Sequence, residues 1–87
     1  MNGRALVAWN LRRIRVEKGL SQEKLAFDTG IDRAYLGGLE RKEQNPTVDL
    51  LDRLAEKLGV ALGDFFTEPP SGSIPPKPLK SSRRPSK

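Results

Sequence analysis

The sequence predicts an all-α fold, a compact domain of five short helices at residues 1–66 followed by a disordered tail at residues 67–87. Within the first 66 residues, apolar side chains recur at helical spacing, and no stretch alternates apolar and β-branched residues as a strand would. After Phe66 the composition changes, because six of the seven prolines lie in the tail. The tail has too few large apolar side chains to offset the entropy cost of ordering it.

The first two helices are predicted from their apolar faces and their ends. Val7, Leu11 and Ile14 fall on one face of helix one, which Gly19 ends. Ser21 is a good N-cap for a second, short helix. Gly30 ends that helix, and "GID" at residues 30–32 then forms a three-residue turn.

The remaining three helices follow the same logic. Asp32 caps helix three and Thr47, after a loop, caps helix four, which Gly59 closes. Residues 60–66 form a last short helix or turn. The predicted buried stripes are Leu36 and Leu39 in helix three, and Leu50, Leu51, Leu54, Ala55 and Leu58 in helix four.

Composition excludes several classes of function. The 87 residues contain no cysteine and no histidine, which rules out disulfides, thiolate or imidazole zinc sites, and Cys/His or Ser/His catalysis. We therefore expect no catalytic residue, no metal, no cofactor and no small-molecule substrate. No apolar run approaches the roughly 18 residues of a membrane span, and no secretory leader is recognisable. The expected location is cytoplasmic.

Net charge is concentrated in the tail. The chain carries a net charge of +5, but residues 1–66 hold eleven Lys/Arg against ten Asp/Glu, which leaves only +1. Residues 67–87 hold five Lys/Arg against one Glu and contribute +4. Overall basicity is therefore weak support for nucleic-acid binding by the folded part.

Helices two and three carry the functional signal. Two short helices joined by a three-residue turn containing glycine are the helix-turn-helix pattern. The major groove of B-DNA, about 12 Å wide, admits one helix. In this arrangement the first helix lies across the DNA backbone and the second directs its N-terminal residues to the base edges.

The order and spacing of "LSQEKLA", Gly30, "LE" at Leu39–Glu40, "NPT" and "LAEKLGV" resemble the phage repressor/Cro family, also called XRE. Within it, "DRAYLGGLER" resembles the recognition segment of restriction–modification controller proteins and related bacterial regulators. The resemblance implies a lambda-repressor-like domain that binds double-stranded DNA in the bacterial nucleoid. It also implies a homodimer on a palindromic operator that regulates transcription.

The resemblance also implies roles for single residues. Gln22 matches a polar residue that meets a phosphate and braces the recognition helix. Arg33 could form a fork to guanine O6 and N7, Ala34 could touch a thymine methyl, and Tyr35 could contact a phosphate or a sugar–base edge. The implied DNA-binding residues are Gln22, Asp32, Arg33, Ala34, Tyr35, Gly37, Gly38, Arg41, Lys42, Gln44 and Asn45.

The recognition helix departs from the family pattern at two positions and supplies one residue of a family salt bridge. Gly37 and Gly38 occupy positions where the family often carries larger polar residues. Each costs up to roughly 1 kcal/mol relative to alanine, which close approach of the backbone to DNA or to helix one would offset. Arg15 and Glu40 match a family pair that forms an internal salt bridge between helix one and the end of helix three.

The dimer interface is predicted at Leu62, Phe65 and Phe66. Because Phe65 and Phe66 are adjacent, a helix cannot bury both equally. One is expected to enter the core and the other, with Leu62, to form an exposed apolar patch. The alternative is that the tail folds over this patch.

A second function remains open at this point. The same type of domain occurs in antitoxins, in which case the Pro-rich tail would bind a partner protein and fold on it. Removing the tail separates the two hypotheses. A regulator would still shift an operator duplex, whereas an antitoxin would lose a co-purifying protein.

Overall fold

The computed structural model describes residues 1–70, and in this part of the chain the fold is all-α, as predicted. None of the helices described there is both long enough and apolar enough to cross a membrane. The tail predicted as disordered lies, from residue 71 onward, outside the described residues. The elements are α1 at Gly3–Glu17, α2 at Gln22–Thr29, α3 at Arg33–Glu40, α4 at Val48–Leu58 and a 3₁₀ helix at Leu62–Phe66.

Predicted caps begin three of the four α-helices. The side chains of Ser21, Asp32 and Thr47 each accept a hydrogen bond, 3.0 Å long, from the backbone N–H three residues further on. Such a bond satisfies one of the N–H groups that the first turn of a helix leaves unpaired. Gly30 and Gly59 end α2 and α4 with φ of 74° and 72°, a left-handed conformation that costs glycine little.

One large side chain from each of the five elements is completely buried. These are Leu11, Leu25, Leu36, Leu54 and Phe65, all at 0% exposure. Burying a side chain of this size contributes about 1.5–3 kcal/mol, so every element is fixed to the same centre. The core therefore holds α2 and α3 at a defined angle to α1 and α4.

The fifth predicted helix is a 3₁₀ helix of five residues. Its first residues lack a side-chain cap at Ala61, and the Asp64 carboxylate instead accepts a hydrogen bond from the Ala61 N–H at 3.2 Å. Phe65 enters the core completely, so its prediction as an interface residue is wrong. Leu62 is half-buried and packs on the core, whereas Phe66 stays 44% exposed.

Asn10 ties the 3₁₀ helix to α1. Its side-chain amide is fully buried and donates to the carbonyls of Leu6, Phe65 and Thr67 at 2.9–3.0 Å. Its oxygen accepts from Arg13 Nη2 at 3.0 Å. An amide that lost these partners would leave buried polar groups unpaired, which is costly. The sequence analysis missed this residue, although it lies on the Val7–Leu11–Ile14 face of α1.

Candidate nucleic-acid interface

The turn between α2 and α3 is short and anchored. Gly30 takes the left-handed conformation, and Ile31 inserts into the core. Asp32 then caps α3, which begins at Arg33. Eight residues make α3 about 12 Å long, just over two turns. The anchored turn fixes the direction in which the first turn of α3 projects.

The first turn of α3 presents a small set of side chains. Arg33 and Ala34 are exposed, as is Asp32 before them. One Asp32 carboxylate oxygen accepts from the Tyr35 N–H, so Asp32 acts as the helix cap. Tyr35 is half-buried and packs against the core. Arg33 and Ala34 are therefore the side chains that this turn offers outward.

Arg33 is held by a residue of α2. Its Nε donates to Glu23 Oε2 at 3.1 Å, and the two side chains are 49% and 44% exposed. Within residues 1–70, this is the hydrogen bond that the structure gives the guanidinium. Sequence reasoning missed Glu23, since ten residues and a turn separate it from Arg33.

The opposite end of α3 is held by a buried ion pair. Arg15 Nε donates to Glu40 Oε2 at 2.6 Å, and Arg15 Nη2 donates to Glu40 Oε1 at 2.8 Å. Arg15 Nη1 also donates to the Leu20 carbonyl at 2.8 Å. The side chains of Arg15 and Glu40 are only 4% and 3% exposed. This two-bonded geometry fixes the end of α3 to α1.

Two further side chains approach the Glu40 carboxylate. Gln22 Nε2 donates to Glu40 Oε1 at 3.1 Å, so Gln22 braces α3 from the start of α2. Arg12 Nε lies 3.7 Å from the same oxygen. That nitrogen is buried and has no hydrogen-bond partner among the described residues. Sequence reasoning did not place Arg12 in this cluster.

The two glycines of α3 are buried, and the alternative that they allow close approach to helix one is wrong. A Cβ at Gly37 would lie 3.0 Å from Arg41 Nη1, and one at Gly38 would lie 3.0 Å from Gln44 Cγ. The close neighbours are thus the loop side chains that fold back over α3, and α1 is not among them. Both glycines lie beneath these loop side chains, and their contact with DNA stays a prediction.

The loop after α3 begins with a tight helix end. Lys42 has φ of 67°, and the N–H groups of Lys42 and Glu43 donate to the carbonyls of Leu39 and Gly38. This is a Schellman motif with lysine where glycine is usual. Lys42 is exposed, so the motif presents a positive charge beside the recognition helix.

Three other loop residues complete the candidate set. Arg41 pairs with Glu43 at 3.1 Å, and that hydrogen bond, followed by the Glu43 charge, raises the pKa of Arg41 above its ordinary value. Gln44 is half-buried over Gly38, and Asn45 is exposed.

This architecture defines a class of protein. Two helices meet through an anchored turn, the second one projects an arginine, and charged loop residues flank it; these are the features of a helix-turn-helix DNA-binding protein. Within residues 1–70, no group of three or more metal-binding side chains is assembled. Arg33 and the exposed loop residues supply hydrogen-bond donors at this surface.

Comparison with known proteins identifies the family to which the chain belongs. The helix-turn-helix family profile matches residues 11–65, and the chain belongs to that family, in its XRE type. An uncharacterised helix-turn-helix transcriptional regulator, y4dJ of Sinorhizobium fredii, is 45% identical over 67 residues. This alignment covers 77% of the present chain and 87% of that protein.

Two further similarities concern proteins of the same type. A hypothetical transcription factor of Neisseria meningitidis is 42% identical over 66 residues, which are 76% of this chain and 62% of that protein. The chain thus spans less than two thirds of that relative. The restriction–modification controller protein C.Esp1396I, solved as a tetramer on its natural 35-base-pair operator, superimposes with a TM-score of 0.68 at 35% identity. That match covers 76% of this chain and 87% of the controller.

Proposed function

We propose that the protein is a sequence-specific DNA-binding transcriptional regulator that acts as a homodimer on a palindromic operator. The observation that carries this proposal is the exposed first turn of α3, whose far end is locked by the buried Arg15–Glu40 pair. A helix fixed in this way can enter a major groove without reorganising. The similarity to transcriptional regulators and a controller protein favours this function over the antitoxin alternative.

The residue roles are part of the proposal. Arg33 forms the fork to a guanine, and Ala34 lies against a thymine methyl. Tyr35 and Gln22 contact the phosphate backbone near the start of each helix, while Gln22 also holds Glu40. Four loop residues contribute phosphate contacts or charge beside the groove: Arg41, Lys42, Gln44 and Asn45.

The proposed dimer contact is the exposed ring of Phe66 together with the outer part of Leu62. Phe66 is one of the few large apolar side chains among residues 1–70 that remain exposed, and association would remove it from water. A C2 pair presents the same patch from both subunits. The two α3 helices would then address half-sites about 34–36 Å apart, one helical turn of DNA.

In this role the protein performs no catalytic step, takes no small-molecule ligand and acts on bacterial DNA. Occupation of an operator would either block RNA polymerase or recruit it. Without a ligand, activity would follow protein concentration through dimerisation, since half-site spacing requires two subunits.

Selection of bound duplexes from a random pool tests the proposal. The expected product is a palindrome with half-sites one helical turn apart, and affinity should fall steeply with salt because phosphate contacts release counterions. Sedimentation should detect a dimer at the concentrations that bind. A monomer at all concentrations, or a pool that stays random after several rounds, would contradict it.

A further inference from the structure

The Arg33–Glu23 contact bears on how the recognition helix chooses its base. We propose that Glu23 is a positioning residue, and that the pair, more than Arg33 alone, sets the preference for guanine. This inference rests on the proposed DNA-binding function. It concerns the specificity of the site and names a residue of α2, the helix that otherwise crosses the backbone.

Glu23 binds the Arg33 guanidinium on the side nearest the aliphatic stem. Glu23 Oε2 accepts from Nε of Arg33, the nitrogen nearest the side-chain stem, at 3.1 Å. The two terminal nitrogens therefore remain as a planar fork, and no other residue in the described part of the chain is bonded to them. That end of a guanidinium matches the O6 and N7 acceptors of guanine. The acid thus occupies the edge of Arg33 that an end-on base contact does not need.

The contact holds the Arg33 side chain in place before DNA binds. A long exposed arginine loses rotamer freedom when it binds a base, and a side chain already held in the bound conformation loses less. The contact also crosses between helices, from the first turn of α2 to the first turn of α3. Because the core fixes both helices, the contact constrains the direction of Arg33 and not only its distance. This effect strengthens binding only where a guanine is present.

The negative charge of Glu23 has the opposite effect and lowers the affinity for DNA. A carboxylate beside the first turn of α3 repels phosphates, so it weakens binding to every duplex alike. Positioning and repulsion are therefore separable. Positioning changes the ratio between matched and mismatched duplexes, whereas repulsion changes both affinities by one factor.

The Lys24–Asp28 pair supplies a matched control. Its Nζ–Oδ1 distance is also 3.1 Å, but both residues lie on α2, so the pair does not reach the recognition helix. Asp28→Asn removes one negative charge from α2, as Glu23→Gln does. Neither substitution touches the buried core.

The test compares two duplexes, the one selected by the parent chain and the same duplex with one G·C pair of each half-site replaced by A·T. Replacements are made one base pair at a time. The Arg33 contact is the G·C pair whose replacement weakens binding by the parent but does not weaken binding by Arg33→Ala. Should the parent bind selected and scrambled duplexes equally, the proposed function itself fails. A parent with a clear ratio allows the inference to be judged on its own.

In Glu23→Ala, we expect the ratio at that G·C pair to fall roughly three- to tenfold. Affinity for the scrambled duplex should be unchanged or higher. Glu23→Gln, which keeps an oxygen acceptor, should lose less of the ratio, and Asp28→Asn should keep the parent value. In an Arg33→Ala background, adding Glu23→Ala should leave the ratio where it is.

An unchanged or increased ratio in Glu23→Ala overturns the inference, as does an equal fall in Asp28→Asn. Thermal unfolding of the isosteric Glu23→Gln variant monitors the fold, and the ratio is read in that variant if Glu23→Ala unfolds. A Glu23→Gln variant with a parent-like ratio would then overturn the inference by itself.

Discussion

Each end of α3 is held by an arginine–glutamate pair, and the two pairs have opposite surroundings. Arg15 and Glu40, at the C-terminal end, are 4% and 3% exposed and share two short hydrogen bonds. Arg33 and Glu23, at the N-terminal end, are 49% and 44% exposed and share one. An exposed pair adds at most about 1 kcal/mol to stability, whereas breaking a buried pair leaves an uncompensated charge. The same two residue types therefore hold the fold at one end and are available to a ligand at the other.

Substitutions at the two ends of α3 should therefore change different measured quantities. Substitutions of Arg15 or Glu40 should appear in unfolding experiments and change DNA binding only through loss of the folded state. Changes at the exposed end should appear in DNA binding and leave unfolding nearly unaltered.

The largest expected effect is that of Glu40→Ala. It leaves Arg15 buried without its partner, which should lower the free energy of unfolding by about 3–5 kcal/mol, a large share of the stability of so small a domain. Urea unfolding followed by circular dichroism measures the loss. The control is the double variant Arg15→Met/Glu40→Leu, which removes both charges and should be clearly more stable than the single variant. A single variant that unfolds at the parent's urea concentration would show that the pair does not hold α3.

Arg33→Ala should have the next largest effect. We expect a loss of about 1–3 kcal/mol in binding to the selected duplex and a flattened preference at one base pair. The free energy of unfolding should change by no more than about 0.5 kcal/mol, because the side chain is exposed. Titration of labelled duplexes at fixed salt measures the first, and urea unfolding the second. A variant that prefers the selected over the scrambled duplex by the same ratio as the parent would refute the role of Arg33.

Lys42→Gly tests whether the exposed loop that follows the buried Arg15–Glu40 pair contributes to DNA binding. Glycine relieves the left-handed conformation of Lys42, so the free energy of unfolding should rise by about 1 kcal/mol. Affinity for all duplexes should fall together, and the salt dependence should decrease by about one phosphate contact. Lys42→Ala, which removes the charge without relieving the backbone, is the control. A salt dependence that stays at the parent value in both variants would exclude a phosphate contact by Lys42.

The smallest effect is expected from deleting residues 71–87. Both ends of α3 lie in the remaining chain, so the preference for the selected duplex should be unchanged. Loss of five positive charges should lower overall affinity most at low salt, where unscreened charges act furthest. Gel shifts with full-length and shortened protein measure both quantities. A shortened form that no longer distinguishes duplexes, or that loses a co-purifying protein, would favour the antitoxin alternative.

Local rules predicted most of the fold. Ser21, Asp32 and Thr47 are caps because a short polar side chain can bond the N–H three residues on, which depends on adjacent sequence alone. The glycines at 30 and 59 end helices for an equally local reason. The all-α class followed from these signals together with apolar periodicity.

The errors concern contacts between distant parts of the chain. Phe65 and Phe66 have the same local sequence context, and only the packing of the 3₁₀ helix on α1 decides which of them is buried. Gly37 and Gly38 are covered by a loop whose course no periodic pattern describes. Glu23 could not be paired with Arg33 until the angle between α2 and α3 was known. Tertiary geometry, which local rules do not contain, made these choices.

The buried amide of Asn10 has a consequence for assembly. Its hydrogen bonds to the carbonyls of Phe65 and Thr67 hold the backbone on both sides of Phe66, so the direction in which this side chain leaves the backbone is fixed before a second subunit of the proposed dimer arrives. A side chain directed in advance gives up little freedom when two copies meet, which favours association. In the proposed dimer, a polar group in the interior of one subunit would thereby influence how readily a hydrophobic contact forms between two.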